Sequence, residues 1–116
     1  DNSARFGGMA VLKARGVPGA PTVVTAGDTI GNYAFAGYDG ANYQESADIR
    51  GISAATISAG NVPTGVGIYT GTNSTTKAQR VLVDKDGNVN IQGGILTATN
   101  ANLVTPTIAS SKTSIW

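Results

Sequence analysis

Chemistry on a polysaccharide needs two carboxylates facing each other across a sugar, so the acidic side chains are the first residues to weigh. The chain carries seven: Asp1, Asp28, Asp39, Glu45, Asp48, Asp84 and Asp86. Asp28 follows Gly27, Asp39 precedes Gly40, and Asp84 and Asp86 flank Lys85 just before Gly87. In such turns an Asp side chain holds its own backbone. Glu45 and Asp48 are spaced so that two carboxylates could meet near a loop. Asp48 and Arg50, two apart on a strand, share a face and are expected to pair or meet solvent rather than catalyse. The chain has no His and no Cys, which removes the commonest general base and the usual nucleophile-base pairs. It also removes disulfides and thiolate metal sites. Asp84-Lys85-Asp86-Gly87-Asn88 echoes the start of a calcium-binding EF-hand loop but lacks the distal Glu and flanking helices. It reads as a hairpin turn. No catalytic residue, no metal and no cofactor are expected.

Recognition has better candidates. Tyr38-Asp39-Gly40-Ala41-Asn42-Tyr43 would present two aromatic rings and an amide around an apical turn. Tyr combines contact area with a polar tip, which makes Tyr38, Asn42 and Tyr43 candidate ligand-binding residues for carbohydrate or protein. Tyr33, Tyr69 and Asn32 belong to the same pool. The competing use of these rings, packing within or between subunits, is preferred because few other large side chains are present. Eight basic residues against seven acidic ones give a net charge of +1. Arg5, Lys13, Arg15, Arg50, Lys77, Arg80, Lys85 and Lys112 are scattered, so no nucleic-acid partner is expected. No stretch approaches the roughly 20 apolar residues of a membrane span, nor is there a secretory leader. Asp1 in place of Met points to a processed chain or a piece of a longer one.

The elements that must hold these residues are strands and turns. Period-two patterns place strands at 9–15, 22–25, 30–38, 47–52, 66–70, 81–83 and 89–91. Between the first two, Val17 to Pro21 is expected to be a loop, because two prolines remove ladder donors. In the third, Tyr33 and Phe35 share one face and Ala34 and Ala36 the other. Asp39-Gly40 and Asp86-Gly87 supply hairpin turns, whereas 53–64 and 71–77 read as longer loops. Sixteen Gly and many β-branched residues oppose helix. The chain is therefore expected to be all-β.

Its supply of core is thin. Val, Ile, Leu and Phe number 25 of 116, near the level at which chains stop folding alone. Yet charged residues are only 13%, too few for typical disorder. Poverty in both suggests burial between chains. Gly-rich strands such as Gly65-Val66-Gly67-Ile68 would then let backbones approach closely near an axis.

The order of motifs resembles the β-rich shaft module of tail fibres and tailspikes of tailed bacteriophages and prophages. Lys13-Ala14-Arg15-Gly16 leads to Pro18-Gly19-Ala20-Pro21, Ala26-Gly27-Asp28-Thr29-Ile30-Gly31, Phe35-Ala36-Gly37-Tyr38-Asp39-Gly40 and Ala47-Asp48-Ile49-Arg50-Gly51. Val62-Pro63-Thr64-Gly65 and the hairpin from Gln79 to Ile91 close the series. The likeness covers about residues 10 to 92. Val81-Leu82-Val83 departs from the usual Met-x-Ile, and Gln92-Gly93-Gly94 from the usual Gly-Ile-Gly. From Gly93 onward the sequence is similar to fibre segments in which three chains coil together.

The resemblance implies short antiparallel strands and hairpins in an intertwined, fibre-like homotrimer. Residues 1–92 would form the β-rich module, and 93–116 a triple-stranded β-helix, an extended shaft or a linker. It implies a virion location, partners among other fibre, baseplate or capsid proteins, and a structural role in host attachment rather than an enzymatic one. Alternatives are a receptor-binding domain contacting host-surface polysaccharide, a capsid-attached head fibre, and a fragment of a polysaccharide-degrading tailspike.

Overall fold

The computed structural model describes residues 7–97. Among them the chain is all-β, with two antiparallel sheets and no helix. β1 (Arg15–Val17) and β2 (Ala20–Thr22) form a small hairpin, with Arg15 opposite Thr22 and Val17 opposite Ala20. Pro18-Gly19 makes its two-residue turn: Pro supplies the first central position and Gly19, at φ 87°, the second.

This corrects the expected start of the chain. Residues 9–14 pair with no strand, and the expected strand at 22–25 ends at Thr22. The supposed loop contains the hairpin instead. Pro21 is tolerated in β2 because a two-stranded ribbon has a free edge, where a missing N–H costs nothing.

The second sheet is a five-stranded meander in which strand order equals chain order. It comprises β3 (Thr29–Tyr38), β4 (Tyr43–Ser53), β5 (Thr64–Thr70), β6 (Ala78–Val83) and β7 (Val89–Ile91). Each strand pairs antiparallel with the next. The ladder slips at three places, between Thr29 and Gly31, between Phe35 and Ala36, and between Ile68 and Tyr69. Such bulges bend a strand and increase its twist.

Side-chain acceptors fix the turns. In the β3–β4 loop, Asp39 Oδ1 accepts from the amides of Ala41 (2.8 Å) and Asn42 (2.7 Å), and Oδ2 accepts from Gln44 Nε2. In the β6–β7 loop, Asp84 Oδ1 accepts from the amides of Asp86 and Asn88, both at 2.9 Å. The Gly87 amide donates to Asp84 O and the Asp84 amide to Asn88 O, with Gly87 at φ 87°. That is a three-residue hairpin loop whose last member needs the left-handed conformation. The turn before β3 is held from β4: Ser53 Oγ donates to Thr25 O, and the Gly27 amide donates to Ser53 O at 2.7 Å.

The interior these strands enclose is very small. Among the described residues a single hydrophobic side chain is buried, Val24 at 6% exposure. The other two buried side chains are polar, Asp48 and Ser53, and the glycines Gly65 and Gly67 of β5 are buried as well. β7 ends at Ile91, and most of the segment expected as a shaft, from residue 98 on, lies outside the described residues.

Candidate functional site

Residues paired across an antiparallel ladder share a face, so the register sorts the large sheet into two surfaces. One row runs Asn32, Arg50, Gly67, Leu82 and Asn90 from β3 to β7, and beside it stand Ala34, Asp48, Tyr69 and Gln79. The alternating rows are Tyr33, Ile49, Ile68, Val81 and Ile91, and Gly31, Gly51, Val66, Val83 and Val89. Phe35, Ala47, Thr70 and Ala78 extend that second surface. The first surface is polar and charged. The second carries no charge in these rows.

On the charged surface the polar groups are enclosed and paired. Asp48 is 1% exposed. Arg50 grips it with two donors, Nε at 2.5 Å and Nη2 at 2.8 Å, and Lys77 Nζ donates to its Oδ2 at 2.6 Å. Lys77 Nζ also donates to Glu45 Oε1 at 2.5 Å. The Arg50 guanidinium lies 3.9 Å from the centre of the Tyr69 ring, a cation–π contact. Tyr69 Oη donates to Gln79 Oε1 (2.8 Å), and Gln79 Nε2 to Gln92 Oε1 (3.0 Å). The bond from Arg50 pulls the Asp48 carboxyl down to about 2; burial opposes this, and Lys77 reinforces it. Asp48 and then Glu45 push the Lys77 ammonium up.

Lys77 reaches this cluster because its loop is tied down. Asn73 Oδ1 accepts from the amides of Thr75 and Thr76, and Thr76 Oγ1 from those of Thr72 and Asn73. A Cβ on Gly71 would come within 2.7 Å of the Lys77 backbone, so only glycine lets the loop close there. The Asp48–Arg50 pair was legible from its spacing. Lys77, 29 residues from Asp48, was not, because nothing in a Thr/Asn/Ser loop says where its far end will land.

Glu45 and Asp48 do come together, but across the Lys77 ammonium rather than across a cleft. A general acid needs a raised pKa at working pH, and Asp48 is moved the opposite way with its oxygens occupied. Asp28 behaves likewise: Arg15 meets it at 2.7 and 2.6 Å, and with the Thr25 amide holds its carboxyl far below the usual range. Asp84 is a turn brace. Asp86, expected to serve its own backbone, faces Lys85 instead (2.7 Å) and leaves the bracing to Asp84. Asp84 and Asp86 thus spend their oxygens on the hairpin and its lysine, not on a cation cage.

The candidate contact residues Tyr38, Asn42 and Tyr43 gather at the tip of the β3–β4 hairpin. Tyr38 pairs with Tyr43 across the ladder, with ring centres 5.4 Å apart and planes tilted by 53°. Tyr38 Oη donates to Gly40 O, and the Asn42 backbone closes the turn with Asp39. Both rings are exposed. Of the four tyrosines only Tyr69 packs against its own chain; Tyr33, Tyr38 and Tyr43 are exposed on it.

On the uncharged surface the large side chains stand open: Ile49 is 42% exposed, Ile68 43% and Tyr33 60%. Tyr33 and Phe35 meet edge to face, with centres 5.3 Å apart. At one end of this surface Met9 and Val11 lie over the Gly31–Gly51 row. Val11 occupies the space a Cβ on Gly31 would need, and an open groove of about 600 Å³ runs between the segment and the sheet. Gly67, by contrast, lies on the charged surface. A Cβ there would come within 2.8 Å of Tyr69 Cε2, so Gly67 is already crowded by its own chain.

In comparisons with known proteins, no protein-family model and no curated protein sequence matches the chain.

Proposed function

We propose that the chain is a structural, non-enzymatic module of a bacteriophage fibre or spike that works as a homotrimer. One observation carries the reading: a sheet of five strands leaves its apolar surface open while Val24 alone among the described hydrophobic side chains is buried. Burial of apolar area is the main favourable term in folding, and one side chain of Val size contributes only about 1.5–3 kcal/mol. The fold therefore draws its stability from surface shared between copies. The ordered motif series from Lys13 to Ile91 supports a fibre module in particular, which would place the protein in the virion beside other fibre, baseplate or capsid proteins. The occupied carboxylates support a role without hydrolysis.

Native mass spectrometry and sedimentation velocity test this directly. The expected result is a trimer down to the lowest concentration at which the protein remains folded, with no reducing sugar released from host capsule. A compact, cooperatively melting monomer would overturn the reading.

A second reading rests on the hairpin tip. Tyr38 and Tyr43 are exposed on a turn stiffened by three bonds to Asp39, which suits contact with host-surface polysaccharide. Glycan-array binding that is lost in Tyr43→Ala would support it, and an array without signal would count against it.

A further inference from the structure

We infer that residues 9–14 are a displaceable strap, pegged by Val11 over Gly31 and pivoting at Arg15, which covers and uncovers the apolar groove beneath it. All its contacts lie within one copy.

The segment is in register with β3. Val11 sits where a Cβ on Gly31 would stand, its Cγ1 2.3 Å and its Cβ 2.9 Å from that point. Two residues on, Lys13 Nζ donates to Thr29 O at 2.8 Å. Arg15 then donates to both oxygens of Asp28. Each advance along the segment is a retreat along β3, so the two run antiparallel. Side chains alternate as in an extended strand: Leu12, between two residues that touch the sheet, is 87% exposed. The segment is seated at definite positions and is not draped at random.

Little holds it there. Among the described residues no backbone–backbone hydrogen bond ties 9–14 to the rest of the chain. What remains is one apolar peg and one lysine on a carbonyl. Val11 itself stays 59% exposed and Met9 84%. The base is firmer, because Arg15 grips Asp28 and also opens β1 opposite Thr22. Segments with few buried contacts open locally far more readily than the fold melts. Partial burial of two side chains is set against the ordering of six residues, so neither position of the strap is held strongly.

Below it lies something to cover. The groove of about 600 Å³ is roofed by Met9 and Val11 and lined beneath by Ile30, Tyr33, Ile49 and Val66. Gly31 makes the seat. Any side chain there would meet Val11, whose branched Cβ leaves it little freedom to turn aside. Seated, the strap closes the Gly31 end of the groove. Raised, it joins the groove to the open uncharged surface.

The chain has no cysteine, so a pair of thiols can lock the strap. Val11→Cys with Gly31→Cys brings two Cβ atoms to the roughly 3.5–4.5 Å of a disulfide once the strap rises by about an ångström. Mild oxidation should close that bond at least about 10-fold faster than in Leu12→Cys with Gly31→Cys, whose first thiol points away. Trypsin reaches the bond after Lys13 only when the strap lifts. Wild type should be cut there at least about 10-fold more slowly than a free peptide of residues 9–17, and the locked disulfide form about 10-fold more slowly again. Gly31→Ala should be cut at nearly the peptide's rate. Equal oxidation of the two thiol pairs would overturn the register. Wild type cut as fast as the peptide would overturn the seating, and Gly31→Ala cut no faster than wild type would overturn the peg. A locked form cut no more slowly than wild type would overturn the displacement. None of these results bears on whether the protein is a trimer.

Discussion

On the charged surface of the large sheet Asp48 and Lys77 are almost wholly enclosed, each with its partners in hand. On the opposite surface Ile49, one residue from Asp48, and Ile68 stand more than two-fifths exposed. Water should favour the reverse, because charges belong outside and β-branched hydrocarbon inside. The inversion teaches where the chain's self-sufficiency ends. Arg50, Lys77, Asp48 and Tyr69 satisfy one another within a single copy, so that surface needs nothing further. The isoleucines and valines have no such closure.

The contrast is broken most directly by removing Asp48. Asp48→Ala leaves Arg50 and Lys77 facing each other without their shared carboxylate. Removing one partner of a buried pair typically costs about 3–5 kcal/mol. Denaturant midpoints should fall accordingly, even where the proposed trimer still forms.

Acid should produce a gentler version of the same loss. The folded Asp48 titrates at about 2, below its ordinary 3.8, so the folded state holds its proton less tightly than the unfolded chain. The stabilisation is complete above about pH 5 and fades as the pH falls towards 2. Asp28, Asp39 and Asp84 shift in the same direction. Melting temperature followed from pH 6 to pH 2 should drop, and in Asp48→Asn the drop should be shallower.

Gly67→Val sharpens the assignment of that residue to the charged surface. The new methyls would displace the Tyr69 ring from beneath Arg50, at about 1–3 kcal/mol for overpacking. Pairing it with Tyr69→Ala should recover part of the loss. No recovery would return the crowding to a contact between copies.

The smallest effect belongs to Arg15→Ala, which releases the Asp28 turn. Arg15 is half exposed, and solvent screens exposed pairs so that they contribute little. The shift in midpoint should shrink further in high salt.

Much of this architecture was legible in the residues. Alternation in 30–38 and 66–70, closed by Asp39-Gly40 and Asp86-Gly87, located β3, β5 and β7 to within two residues, because a period of two and a positive-φ turn are both local properties; β4 and β6 begin four and three residues before their expected starts. The N-terminal part misled for the same reason. Met9-Ala10-Val11-Leu12 has strand-like composition, but whether it pairs depends on what it meets, and it meets the bare Gly31. The Pro18-Gly19 turn was recognised, whereas its hairpin was not, since proline is barred from interior strands but not from a free ribbon edge. At the candidate site, the facing of Asp48 and Arg50 was legible. The bulge that lets Tyr69 sit opposite Gln79 was not, because no residue type marks it.

Strand order that follows chain order has a kinetic consequence. Every β-strand of the meander finds its neighbour across one short connection, so little entropy is spent on closing long loops before zipping begins. In the proposed homotrimer the slow event would then be the encounter of copies, and the half-time for regaining the native assembly should shorten as protein is added.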